Sequence, residues 1–244
     1  MNVGFDYTSD TPHYWEGFWD DGIGSCGKHD PDRYSRSLLN DHCTLWKREL
    51  PNGVLFSPTV KSGYLIWNGQ TYGSDSITAS FRYVRYKHML DKIAADKADY
   101  RAFVEDYLHK LYTIGGTIIF PAHRNSINQM RGCNKKISDR WDLTLECIKR
   151  FYDGTPSPLS KYLEADRNFF MQFCSFKEYV DFFFLQDCVT EDYSEVIFWL
   201  GDGDFEADPL PQTIEEYYKW IDDQLRFVER RNKRIAAYLA DRKQ

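Results

Sequence analysis

The amino-acid sequence predicts an α+β protein that is mostly helical and carries one small antiparallel sheet. Two turn sequences, Pro51-Asn52-Gly53 and Asn68-Gly69, interrupt short apolar runs between residues 45 and 80. Asn-Gly readily adopts the positive φ angles of a two-residue hairpin. After residue 80, apolar residues recur mostly at the spacing of amphipathic helices. The first third of the chain is therefore expected to hold the sheet.

The N-terminal segment, residues 1–30, is aromatic, acidic and glycine-rich. It is predicted to be an arm held in place by its aromatic side chains, among them Tyr14, Trp15, Phe18 and Trp19. Asp30-Pro31 then offers a helix N-cap followed by a first-turn proline. We expect a helix from about residue 31 to residue 46.

Strands are expected on both sides of the two turns. Residues 45–50 and 54–56 would pair across the first turn, and residues 64–67 and 70–72 across the second. A further apolar run, Thr117–Pro121, follows a Gly-Gly pair and ends at a proline. It is predicted to be a short buried strand that joins the same sheet.

Helical patterns account for most of the remaining chain. The most regular is Asp139–Tyr152, for which Ser138 is the predicted cap. Thr213 and Glu216 form a Thr-x-x-Glu capping box at the start of a long C-terminal helix. The other predicted helices span Phe81–Ile93, Tyr100–Tyr112, Leu159–Phe173 and Phe176–Leu185.

Length and composition limit the class of protein. The 244 residues are 42% apolar and 17% aromatic, which is enough to build a substantial core. We expect a single domain over residues 1–244, or a sheet-containing lobe (1–80) packed on a helical lobe (81–244). The formal net charge of -6 argues against a protein that coats nucleic acid over its whole surface.

The sequence also indicates where the protein resides. The N-terminus lacks a basic and apolar leader, and no apolar run approaches the length of a membrane span. Six cysteines are spread over this long chain and are expected to be reduced thiols. We therefore predict a cytoplasmic protein with no membrane contact.

The segment from Thr117 to Tyr152 reverses the sign of the overall charge. It holds seven Lys and Arg residues against three Asp and Glu residues, a local net charge of +4. A strand, a polar loop and a helix start in succession can hold an anion. The opposite interpretation is that these cations pair with the acidic groups of the protein itself.

The leading hypothesis is a protein that binds a phosphate-bearing ligand, a nucleotide or a nucleic acid, through residues 123–140. If it is an enzyme, we expect phosphoester or nucleotide chemistry, with His123 transferring a proton and Arg124 and Arg131 stabilising developing charge. Neither standard nucleotide-binding loop, GxxxxGK[ST] or GxGxxG, is present. The predicted ligand contacts are Arg124, Asn125, Arg131, Asn134, Lys135 and Arg140.

No cofactor and no metal ion are predicted. Cys26, His29, His42 and Cys43 include one zinc-like Cys-x2-His step. The adjacent pair 42–43 would point about 100° apart on a helix, which disfavours a single tetrahedral ion. On the helix after Ser138, Asp142 and Glu146 are expected to form an ordinary charged face.

Several phrases together resemble a family of uncharacterised bacterial and phage-associated proteins. The phrases are Gly73–Ile77, Ile118–Pro121, Arg131–Ile137 and Asp139–Arg150. The last of these is the most specific, and the similarity runs from about residue 5 to residue 235. The resemblance implies a bacterial or phage protein of the cytosol, and it supplies no activity and no catalytic residues.

Two further motifs have simpler interpretations. Arg82 and His88 match the Arg-x5-His spacing of HEPN-type ribonucleases, but Tyr83 stands where that family usually has a polar residue. Ser74 could be read as a nucleophile, although no partner can be assigned. Asp75 or Ser76 is expected instead to cap the helix that contains Phe81.

The alternative hypothesis is a non-catalytic factor, of phage or host-defence type, that binds another protein. The aromatic arm around Trp15, Phe18 and Trp19 would supply one part of that interface. The C-terminal helix would supply the other part.

Overall fold

The computed structural model describes residues 1–20, 30–77 and 83–242, and all their side chains except those of residues 20 and 83–87. It confirms an α+β fold that is mostly helical. The helices are α1 (Tyr14–Asp20), α2 (Pro31–Tyr34), α3 (Arg36–Leu45), α4 (Tyr83–Asp96), α5 (Tyr100–Leu111), α6 (Ile127–Cys133), α7 (Trp141–Tyr152), α8 (Ser160–Ala165), α9 (Arg167–Phe170), α10 (Phe176–Phe182) and α11 (Ile214–Asp241). The strands are β1 (Arg48–Glu49), β2 (Leu55–Phe56), β3 (Thr59–Lys61), β4 (Tyr64–Trp67), β5 (Gln70–Ser76) and β6 (Thr117–Pro121).

The strands form two antiparallel sheets. β1 and β2 make a two-stranded hairpin, and the other four strands form a sheet in the order β3-β4-β5-β6. Both predicted turns are confirmed. Asn68 and Gly69 connect β4 to β5 with φ angles of 47° and 73°, as a type I′ turn requires.

The predicted strand Thr117–Pro121 is confirmed as β6. It pairs with β5 from Ser76 opposite Thr117 to Tyr72 opposite Pro121, and all five of its residues are buried. Gly116 precedes it at a point of close approach, where a Cβ atom would lie 1.8 Å from the carbonyl oxygen of Leu111. Only glycine therefore fits this connection between α5 and the sheet.

Two predicted helices are divided. The helix expected over residues 31–46 is broken at Ser35, whose extended backbone lets its hydroxyl cap α3 through the amide of Leu38 at 3.0 Å. The helix expected over residues 159–173 is broken at Asp166, where α8 gives way to α9. The side chain of Ser35 accepts from the first turn of the next helix, and that of Asp166 accepts from the amide of Ile127 in another helix. Both bonds compete with a continuous helix.

The start of α7 also differs from the prediction. The helix begins at Trp141, not at Asp139, and both Ser138 and Asp139 have positive φ angles of 48° and 65°. The carbonyl oxygen of Asp139 accepts a hydrogen bond from the guanidinium of Arg131 at 3.0 Å. This bond draws residue 139 out of the helix, so Ser138 does not act as the cap.

The C-terminal helix confirms the capping box at Thr213 and Glu216. A buried arginine joins its middle to the sheet. Arg231 donates to the carbonyl oxygens of Phe183 at 2.9 Å, Gly115 at 2.9 Å and Thr117 at 2.6 Å. Burial lowers the pKa of Arg231 to about 9.

The buried apolar side chains of the sheets and of the helices lie in contact with one another. Trp46 packs on Phe183 at a ring-centroid distance of 5.1 Å, and Phe183 packs on Tyr179 at 5.0 Å. The division of the chain into one or two units stays a prediction. None of the helices in the described part of the chain has the length and apolarity needed to cross a bilayer.

Candidate functional site

The loop after β6 places His123 against the protein's own carboxylate. Nε2 of His123 lies 2.6 Å from Oδ1 of Asp166, and Oδ2 of Asp166 accepts from the amide of Ile127 at 2.9 Å. The Asp166 side chain is only 2% exposed. The strand–loop–helix junction therefore does hold an anion, and that anion is Asp166.

Both ring nitrogens of His123 face acceptors, because Nδ1 lies 3.0 Å from the carbonyl oxygen of Arg124. The carbonyl of Arg124 and the carboxylate of Asp166 together raise the pKa of His123 above its ordinary value. The doubly protonated ring satisfies both contacts. Both ring nitrogens are thus engaged inside the protein, and the role of His123 in proton transfer stays a prediction.

Arg131 is fully buried and holds α6 to the sheet. Its Nη1 lies 2.7 Å from the carboxylate of Asp75 and 3.2 Å from that of Asp139. Its guanidinium also donates to the carbonyl oxygens of Ser76 at 3.0 Å and Ile77 at 3.1 Å. These bonds show a structural role. Asp75 and Ser76 belong to β5, and the predicted helix start at Phe81 lies outside the described residues.

Arg140 is also buried and neutralised. It forms a two-bond pair with Asp142, with Nε to Oδ1 at 3.0 Å and Nη2 to Oδ2 at 2.5 Å. The guanidinium also donates to the carbonyl oxygens of Leu200 and Pro209, so it fixes the acidic loop after residue 199. Arg131 and Arg140 are therefore removed from the set of ligand contacts.

The remaining predicted contacts lie at opposite ends of α6. Arg124 and Asn125 precede the helix, Asn134 and Lys135 follow it, and α6 has seven residues, which separates the two groups by about 10 Å. The side chains of Arg124 and Lys135 are exposed and form no hydrogen bond or ion pair with any residue that the structure describes. The six predicted contacts thus do not converge on one point.

A groove of about 570 Å³ lies beside the later pair. We call it the connector groove. It is lined by Asn134, Lys136, Arg150, Pro156, Ser157, Pro158, Phe205 and Glu206. The amide of Asn134 shapes one wall, since its side chain donates to the carbonyl of Pro158 at 3.2 Å and accepts from the backbone of Lys136 at 2.9 Å.

Two cations face this groove. Lys136 pairs with Glu206, and both side chains are largely in solvent, at 48% and 77% exposed. Arg150 donates from Nε to Glu146 at 2.7 Å, and its guanidinium lies 4.7 Å from the ring centroid of Phe205. Both cations belong to the basic segment of residues 117–152, but neither is among the predicted ligand contacts. Phe205 is far away in the sequence, so no local pattern indicated this groove.

The family assignment confirms the resemblance seen in the sequence. Residues 1–235 match a family of unknown function, DUF6994. The chain belongs to this family. No curated protein and no solved structure matches it. Membership in DUF6994 brings no activity and no site residues with it.

This DUF6994 protein also contains a buried chain of polar side chains under β5. The indole of Trp46 donates to Nδ1 of His42 at 2.8 Å, so the neutral ring carries its proton on Nε2, which lies 3.0 Å from Oγ of Ser74. Ser74 in turn donates to Oδ1 of Asp32 at 2.5 Å. Burial lowers the pKa of His42 to about 3 and raises that of Asp32 well above its usual range.

The order of these groups excludes a serine–histidine–aspartate mechanism in this geometry. A catalytic histidine must accept the serine proton and donate to the aspartate. Here His42 donates toward Ser74, and Asp32 bonds the serine, not the histidine. The DUF6994 fold uses this chain to satisfy buried polar atoms between α2, α3 and β5.

The other motifs of the sequence lie partly outside the description. Cys26, His29 and Arg82 belong to segments that the structure leaves undescribed. Across residues 1–20, 30–77 and 83–242, no group of three or more His, Cys, Asp or Glu side chains is arranged to hold a metal ion. The zinc set and the Arg-x5-His motif therefore stay untested.

The aromatic arm of this DUF6994 member packs inward. Phe18 is buried, the ring of Trp15 lies 5.0 Å from that of His109, and the indole of Trp19 donates to Glu105 at 2.9 Å. On α11, Arg234 pairs with Asp187 and Lys233 with Glu229. These contacts engage the arm and part of α11 within the protein, and the alternative hypothesis of a protein-binding factor stays a prediction.

Proposed function

We propose that this protein binds a phosphate-bearing ligand, a nucleotide or a nucleic acid strand, in the connector groove. The observation that carries the proposal is the pair Lys136 and Arg150 on one groove of about 570 Å³. A volume between roughly 300 and 1,000 Å³ is typical of small-molecule sites. The proposal keeps Asn134 and Lys135 from the sequence prediction and replaces the two buried arginines.

The Lys136–Glu206 pair is the point at which a ligand enters. Both side chains are mostly solvated, and such exposed pairs contribute only about 0–1 kcal/mol to stability. A phosphate group carries up to two negative charges and several acceptor oxygens. It can therefore displace Glu206 from Lys136 at little energetic cost. The exposed ammonium of Lys135 lies next to Lys136 in sequence and strengthens the local positive potential.

Arg150 supplies the oriented cation. Glu146 holds its Nε, and the ring of Phe205 lies below the guanidinium. Nη1 also donates to the carbonyl oxygen of Pro156 at 3.4 Å. A guanidinium oriented in this way can still offer N–H groups of its plane to phosphate oxygens. Phe205 is itself buried, so it supports Arg150 and does not stack on a base.

The proposal is for binding, without an assigned reaction. His123 lies at the far end of α6 from the connector groove, and both of its nitrogens are engaged. The bacterial or phage origin and the cytoplasmic location that the sequence indicates accord with a nucleotide or nucleic acid as the ligand.

Titration calorimetry with ATP and with a short single-stranded DNA would test the proposal. Lys136→Ala removes a charge-assisted bond, and we expect it to weaken binding about tenfold or more. Glu206→Gln removes the competing carboxylate, and we expect tighter binding. The control is Lys177→Ala, another exposed lysine that pairs with a nearby carboxylate, Asp181.

The sign of the two effects makes the test specific. Binding should also fall steeply as salt rises, because phosphate contacts release counterions. If the wild type binds neither ligand, or if both substitutions leave the affinity of the wild type unchanged, the connector groove is not a phosphate site and the proposal is wrong.

A further inference from the structure

We infer that a second groove, at the free edge of the four-stranded sheet, binds an extended, acidic peptide segment of a partner protein. We call it the edge groove. It lies between α3, the β2–β3 turn and the end of α11, and has a volume of about 570 Å³. Cys43, Lys47, Ser57, Thr59, Leu239 and Arg242 contribute to its walls.

The sheet has two unequal edges. β6 forms one edge and is buried at all five residues, whereas β3 forms the other and is exposed at all three. Among the residues that the structure describes, no strand pairs with the outer side of β3. An exposed edge strand presents backbone N–H and C=O groups that an extended peptide can pair with.

Apolar side chains are exposed beside this edge. Val60, on β3 itself, is 42% exposed. Met1, which lines the edge groove, is 40% exposed. Exposed apolar side chains at a groove and on the strand next to it are a feature of interaction sites.

The charge around the edge groove selects the chemistry of the partner. Lys47, Lys61 and Arg242 are exposed, and none of them forms an ion pair with the residues described. Elsewhere, exposed lysines such as Lys177 and Lys219 pair with an aspartate four residues away. Two exposed carboxylates, Glu49 and Asp241, lie in the same segments and leave a net positive surface. A peptide that alternates apolar residues with Asp or Glu would complement it.

The positions of the three cations support an extended segment. Lys61 ends β3, and Lys47 follows α3. Arg242 follows α11 and donates to the carbonyl oxygen of Lys47 at 3.3 Å. Cations thus stand beside the groove and at the end of the edge strand. In an extended strand, alternate side chains point to the same face, so acidic residues at alternate positions would all face the same cationic side.

Selection from a random-peptide display library on the full-length protein would test the inference. We expect enriched peptides with alternating apolar and acidic residues. A fluorescent copy of the best peptide should bind the double variant Lys47→Glu, Arg242→Glu about tenfold more weakly than the wild type. Lys161→Glu on α8, an exposed lysine without an ion pair in the described part of the chain, is the matched control.

Hydrogen exchange separates edge pairing from simple charge attraction. Bound peptide should slow exchange at the amides of β3 and leave those of β6 unchanged. A library that yields no enriched peptide, or peptides that bind the charge-reversed variant as well as the wild type, would overturn the inference. So would light scattering that shows a dimer which the variant converts to a monomer, because the edge groove would then bind a second copy.

Discussion

The carboxylate of Asp166 takes the place, next to His123, that the sequence pattern assigns to a ligand anion. Its two oxygens face Nε2 of His123 at 2.6 Å and the amide of Ile127 at 2.9 Å. The loop after β6 and the start of α6 are thus held by a residue at the end of α8. This contact makes the stability of the loop dependent on the protonation of one histidine.

The first prediction concerns pH. The pKa of His123 is raised in the folded protein, so the folded state binds the proton more tightly than the unfolded state. The stabilisation is complete below about pH 6.5, the ordinary histidine value, and is lost as pH rises through the folded-state pKa. Because the His123 side chain is 49% exposed, we expect only about 1 kcal/mol from it.

The measurement compares urea unfolding of wild type and His123→Gln at pH 5.5 and pH 9. The destabilisation caused by the substitution should be larger at pH 5.5. His88→Gln, at an exposed position of α4, is the control. An equal destabilisation at both pH values would show that the ring is not held as a cation.

Local sequence patterns predicted the parts of the fold that depend on neighbouring residues. Asn68-Gly69 makes its hairpin, and Thr213 with Glu216 makes its capping box, through contacts within a few residues. The predicted start of α7 was wrong, because the carbonyl oxygen of Asp139 is held by the guanidinium of Arg131. The helix propensities of residues 138 and 139 give no indication of that bond.

The second prediction separates two arginines of the basic segment. Arg131→Met leaves Asp75 and Asp139 near a site without their cation, and removing one partner of a buried pair typically costs about 3–5 kcal/mol. Arg124→Met removes an exposed side chain and should change the free energy of unfolding by no more than about 0.5 kcal/mol. Denaturant unfolding of both variants at pH 7 measures the difference. Similar values for the two would contradict the structural role of Arg131.

The excess of Lys and Arg in the sequence located the basic segment. It could not show which of these side chains are paired with carboxylates in the folded protein. Some of the carboxylates that neutralise it come from far along the chain: Asp75 lies 56 residues before Arg131, and Asp166 lies 43 residues after His123. The +4 balance within residues 117–152 omits these partners. The connector groove likewise depends on Phe205 and Glu206, which meet Arg150 and Lys136 only after folding.

The last prediction concerns the buried His42, for which the pH effect has the opposite sign. Burial, with a smaller contribution from the charge of Arg231, lowers its pKa to about 3. Between that value and about pH 6.5, the unfolded chain binds a proton that the folded protein excludes. The free energy of unfolding should therefore fall with decreasing pH by up to about 1.4 kcal/mol per pH unit.

His42→Asn is expected to be less stable at pH 7, because Trp46 and Ser74 lose their partner. Its free energy of unfolding should decline less steeply from pH 7 to pH 5. Urea unfolding across this range measures both slopes, and parallel slopes for variant and wild type would show that His42 accepts a proton in the folded state.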